Sequence, residues 1–157
     1  MKEIYERFDE NTLSRMQAVF ASIFILQNRI QTAYEREQDD LSMKQWLMLA
    51  ILGECPKPHT LTNIGTYMGC SRQNTKQLAM ALSEKGYVRL VLVTKNSVNI
   101  EMTEKVAEYE AKMGKRSEAV LRLLFSEFSE EEMSQLYQLF KKLYKGVELF
   151  EKGTDIL

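Results

Sequence analysis

Arg72, Gln73, Lys76 and Gln77 stand close together at the start of "RQNTKQLAMALSEKG", and no acid falls among them. At about 100° per residue they share one side of a helix, while Thr75, Leu78, Ala81 and Leu82 take the other. The outer side is basic and rich in amides. Those side chains have defined uses against a nucleic acid: arginine and lysine pair with guanine edges or phosphates, and glutamine can bond an adenine edge through two hydrogen bonds. Ser71 stands just before them, and its hydroxyl can accept a first-turn backbone N–H, so it marks the helix start. Asn74 lies closer to the buried edge, where supporting that start competes with reaching outward.

The charge around this helix is segregated. Residues 57 to 95 hold Lys57, Arg72, Lys76, Lys85, Arg89 and Lys95 against Glu84 alone, a net of +5 in a chain of net −1, which leaves −6 for the rest. A polyanion is steered by the local patch rather than by the isoelectric point.

Other chemistries lack their residues. With one histidine, His59, and two cysteines, Cys55 and Cys70, without CxxC spacing, neither a zinc or other metal site nor a Ser/His/Asp set can be assembled. No glycine-rich phosphate loop is present, so no catalytic residue and no cofactor is expected, and the chain reads as a non-enzyme. His59 follows "PKP" and is expected at the surface or as a cap. Both cysteines read as small half-buried residues of a reducing compartment, with redox sensing as the alternative. Apolar patches such as "MQAVFASIFIL" stop well short of the roughly 20 residues of a membrane span. The acids in "MKEIYERFDEN" argue against an export signal, so the expected location is cytoplasmic and no membrane partner is expected.

The elements that must position the outer face follow from periodicity and punctuation. Residues 11 to 37 read as a long helix with Met16, Phe20, Ile23, Leu26 and Ile30 in one stripe. "LSMKQW" opens a second helix, with Ser42 and Gln45 as a capping box, and this helix is expected to end near Gly53. Leu61 to Met68 form a short helix ended by Gly69, and the helix after Ser71 stops at Gly86. From Tyr87 the period falls to 2, and "YVRLVLV" and "VNIEM", separated by "TKNS", predict a hairpin. Thr103 is expected to cap a helix to about Phe125. Ser129 and Glu132 begin a last helix with Met133, Leu136, Phe140, Leu143 and Val147 as its buried stripe. The predicted fold is mainly α: a winged helix-turn-helix of about six helices and one β-hairpin wing.

Three stretches, "LSMKQWLMLAIL", "LTNIGTYMGCSRQNTKQLAMALSEKGYV" and "IEMTEKVAEYE", give the chain a resemblance to the MarR family of winged helix-turn-helix transcriptional regulators over nearly its full length. The resemblance implies one MarR-like chain over 1–157, with a DNA-binding part at 41–103 and a helical dimerisation part at 1–38 and 104–157. It implies a homodimer that binds a pseudo-palindromic double-stranded operator, usually as a repressor. Ser71, Arg72, Gln73, Asn74, Lys76 and Gln77 take the place of the recognition-helix contacts. The wing departs from the family pattern: its tip, "VTKNSVN", lacks an arginine, so Lys95 and Asn96 stand in for it, and Arg89 braces the hairpin or holds a phosphate. Many members respond to small aromatic compounds, which implies Met16, Phe20 and Trp46 as candidate ligand-lining residues; the competing reading makes them plain core. A winged-helix module that binds protein without sequence-specific DNA binding is the alternative function.

Overall fold

A computed structural model of the protein describes residues 11–37, 40–95 and 97–153. The order is α1 (Thr12–Glu37), α2 (Met43–Glu54), α3 (Leu61–Met68), α4 (Arg72–Glu84), β1 (Val88–Thr94), β2 (Ser97–Met102), α5 (Glu104–Leu124) and α6 (Glu130–Glu151). The described elements are thus the six helices and single hairpin that the sequence predicts. The chain divides into two compact units, Met1–Ala107 and Glu108–Leu157, with the boundary inside α5.

The first unit owes its core to side chains from three helices and both strands. Met48 and Leu52 of α2, Ile64 of α3, Ala79 and Leu82 of α4, Val88 of β1 and Ile100 of β2 are all essentially inaccessible to solvent. Burial of a side chain such as Leu52 or Leu82 contributes roughly 1.5–3 kcal/mol. On α4 the inward residues are Thr75, Ala79 and Leu82, with Leu78 and Ala81 half-buried at the margin.

Local chemistry starts and stops the helices. The Ser42 hydroxyl accepts the Gln45 N–H at 3.3 Å and the Gln45 side chain accepts the Ser42 N–H at 3.1 Å, a complete capping box. Thr60 caps α3 through the Asn63 N–H at 3.2 Å. Gly69 closes α3 at φ +63°, a conformation that a side chain disfavours, and Gly86 follows α4 at φ +79°.

The strands pair antiparallel, with Val88 opposite Met102, Arg89 opposite Glu101 and Thr94 opposite Ser97. Pairing therefore runs further toward the tip than "TKNS" as a four-residue turn implies, and the register shifts between Leu92 and Thr94. Thr60 makes an isolated bridge with Asn99. Beside it, His59 departs from a surface role. It is buried, its Nε2 donates to the Cys55 carbonyl at 2.9 Å, and its own carbonyl accepts the Ile100 N–H at 2.9 Å. His59 thus closes the end of α2 as a capping residue while tying the loop to the wing. Thr103, expected to cap α5, uses its hydroxyl to tie the wing base instead, donating to the Gly86 carbonyl at 2.7 Å and the Tyr87 carbonyl at 3.2 Å.

In the second unit, Ser129 and Glu132 form the expected capping box, and Glu130, Glu131 and Glu132 place three acids on the positive end of α6. The stripe of α6 differs from its sequence reading. Met133 and Leu136 are half-buried, but Phe140, Leu143 and Val147 are exposed, and α6 has no buried residue. Its apolar periodicity exceeds what the chain itself covers. The same is true of Met16, Phe20, Phe24 and Leu26 on α1.

Candidate nucleic-acid interface

The turn between α3 and α4 sets the reading face. The Cys70 N–H donates to the Gly65 carbonyl at 2.8 Å, and the Ser71 hydroxyl then accepts the Asn74 N–H at 3.2 Å to start α4. The Thr75 hydroxyl, buried on the inner side, donates to the Ser71 carbonyl at 3.0 Å. A Cβ on Gly65 would meet Thr75 Oγ1 at 2.7 Å and the Cys70 carbonyl oxygen at 2.9 Å. Only a glycine lets the two helices approach this closely. The sequence reading put Thr75 on the inner side but missed Gly65, for which a glycine in the middle of an eight-residue helix was the signal.

With the inner side occupied, Ser71, Arg72, Gln73, Asn74, Lys76 and Gln77 are all exposed and belong to one cap and the first two turns of α4. Asn74 stands with them on the outer side, its N–H serving the cap. The first turn of α4 carries no acid, in contrast to α6, so its positive end is left uncompensated for an anion. Met80, also exposed, extends the same helix with an apolar side chain suited to a thymine methyl.

On the hairpin, Arg89 is exposed opposite Glu101, so an acid balances it across the strands. Lys95 is exposed at the turn, and Asn96 lies outside the described residues. Val91, Leu92 and Val93 are exposed beside it, which makes the tip more apolar than basic.

The three candidate ligand-lining residues are not brought together in one chain. Trp46 is half-buried against Tyr34, with ring centroids 6.1 Å apart. Met16 and Phe20 lie 18 and 14 residues before Tyr34 on the same helix, roughly 27 and 21 Å away at the helical rise. Phe20 instead pairs edge-to-face with Phe24, centroids 5.1 Å apart, and both rings are exposed. Cys55 and Cys70 are free and half-buried. Among the described residues no group of histidine, cysteine and acidic side chains could hold a metal ion, and no helix is long and apolar enough to cross a membrane.

Comparison with solved structures supplies the precedent for this geometry. A MarR/EmrR family transcriptional regulator from Acinetobacter sp. ADP1 superposes with a TM-score of 0.72 at 24% identity, over 84% of this chain and 96% of that one. The fold is that of the MarR-family regulators. An organohalide-sensing transcriptional regulator in its 2,4-dichlorophenol-bound form shares this MarR fold at a TM-score of 0.74 and 18% identity, over 91% of this chain and 86% of its own. Streptococcus pneumoniae FabT, solved in complex with DNA, matches at a TM-score of 0.62 and 20% identity, over 87% of this chain and 98% of its own. No protein-family model and no curated protein sequence matches the chain. In this fold the segment from Leu61 to Glu84 forms a helix-turn-helix, and β1 with β2 forms the hairpin that follows it.

Proposed function

We propose that the protein is a MarR-family transcriptional regulator that binds a pseudo-palindromic DNA operator as a homodimer, represses transcription, and is released by a small aromatic effector. The observation that carries this reading is the exposed, acid-free face of Arg72, Gln73, Asn74, Lys76 and Gln77 at the capped start of α4. In this reading Arg72 and Gln73 contact base edges, Lys76 and the α4 N-terminus hold phosphates, and Ser71, Asn74, Gln77, Arg89 and Lys95 add flanking contacts, with Asn96 a further candidate by sequence alone. The protein works in the cytoplasm and performs no catalysis. Two related proteins solved with DNA, from Streptococcus pneumoniae and S. aureus, support the partner class.

A second copy of the chain accounts for the apolar faces. Phe140, Leu143 and Val147 on α6, with Met16 and Phe20 on α1, form more exposed apolar surface than a monomer ordinarily carries. A two-fold dimer buries it and presents two α4 helices to half-sites about 34 Å apart. The candidate effector site is beside Trp46, whose ring packs on Tyr34. The effector acts by binding one spacing of the recognition helices better than the other.

The exposed Val91, Leu92 and Val93 favour a second reading, in which the wing docks on a protein partner. Hydroxyl-radical footprinting on the promoter of the protein's own gene separates the two. Two protected patches one helical turn apart support the regulator; uniform or absent protection across candidate promoters supports the protein-binding module.

A further inference from the structure

The C-terminal end of α4 is held by a side-chain cluster that the DNA-reading face does not use. Lys85 Nζ donates to the backbone carbonyl of Asp40 and, at 3.0 Å, to the Gln45 side-chain oxygen. The Tyr87 hydroxyl donates to the Asp40 carboxylate. From the other side, Lys105 donates to the Lys85 carbonyl at 2.7 Å and rests 4.4 Å above the Tyr87 ring. Gln45 is itself buried and is also the capping partner of Ser42. One cluster therefore joins the linker after α1, the start of α2, the end of α4, the start of the wing and the first turn of α5.

We propose that Asp40, Lys85 and Tyr87 form a positioning latch that fixes the tilt of the recognition helix against the linker leaving α1. This rests on the DNA-binding reading and adds the contacts that hold the far end of α4. Asp40 lies three residues beyond Glu37, the last residue of α1, and is the point to which Lys85 and Tyr87 are fastened. Arg72 lies at the far end of the 13-residue α4, roughly 20 Å from the latch. A tilt of about 5° there moves Arg72 by roughly 1.7 Å, well beyond the roughly 0.5 Å range of a good hydrogen bond. The latch thus converts a small rotation into gain or loss of base contacts.

The competing account is that packing of Thr75, Ala79 and Leu82 alone sets the tilt and that the cluster only adds stability. Tyr87→Phe removes one hydroxyl and keeps the ring beneath Lys105; Lys85→Met keeps the stem and removes the donors. Both variants are made in the full chain and read in two ways. Amide hydrogen exchange without DNA is expected to rise in residues 40–45 as well as 84–88 in each variant, because the latch joins the two segments. A rise confined to the substituted segment overturns the proposal. Operator affinity relative to non-operator duplex is expected to fall about fivefold to tenfold in each variant, and no further when the two are combined. A preserved ratio with a lowered melting temperature also overturns it. If the wild-type protein shows no operator preference, the regulator reading fails, and the exchange result still decides whether the latch couples the linker to α4.

Discussion

The Cβ position of Gly65 faces the hydroxyl of Thr75 at 2.7 Å, so the two helices of the reading head touch where one has no side chain. Gly65→Ala is expected to push α3 from α4 and destabilise the fold by about 1–3 kcal/mol. A lower midpoint in chemical denaturation checks this, and an unchanged or higher midpoint would show that the helices can part without cost.

Leu82 anchors α4 in the core with no solvent exposure. Leu82→Ala is expected to cost about 2–5 kcal/mol through lost burial and the cavity left behind. Equilibrium urea unfolding measures it; a change under 1 kcal/mol would mean that the core around α4 collapses readily.

The Ser71 cap supports both helix and site. Ser71→Ala is expected to cost about 1 kcal/mol of stability, and Ser71→Asp to keep the cap. Operator binding separates the two roles, because the added carboxylate sits at the helix start that is proposed to hold a phosphate. Ser71→Asp is therefore expected to fold as well as wild type and bind DNA more weakly, and tight binding by this variant would remove the α4 N-terminus from the interface.

The exposed stripe of α6 makes a prediction about assembly. Phe140→Glu changes a side chain that the single chain leaves exposed, so the isolated fold should tolerate it, while a buried charge at a dimer interface is costly. Sedimentation is expected to show a dimer for wild type and a monomer for the variant. A dimer of undiminished affinity in the variant would place the interface elsewhere.

Much of this fold was legible in the sequence because its signals are local. Ser42, Ser71 and Ser129 announce helix starts through bonds made within three residues, and Gly69 and Gly86 end helices through their own backbone angles. The outer face of α4 was legible for the same reason, since helical period alone sorts Arg72 and Lys76 from Leu82. What escaped joins distant residues. The His59 carbonyl accepts the Ile100 N–H from 41 residues on, the Thr60–Asn99 bridge is one residue long and leaves no period to read, and Lys85 meets Asp40 across 45 residues of chain. The stripes on α1 and α6 were read as apolar correctly, but a pattern of apolar residues does not say which surface covers it. Of the ligand-lining trio, Met16 and Phe20 sit near the start of the 26-residue α1, whereas Trp46 packs on Tyr34 near its other end, a separation that residue type alone does not reveal.

The central claim is that the start of α4 reads DNA. It is tested most directly by the affinity of the wild type and the Arg72→Ala, Lys76→Ala double variant for the protein's own promoter at about 50 and 200 mM salt. Tight wild-type binding that weakens steeply with salt is expected, with the double variant weaker at both concentrations and its log–log slope reduced by about 1–2. Equal affinities and equal slopes for the two proteins would contradict the account.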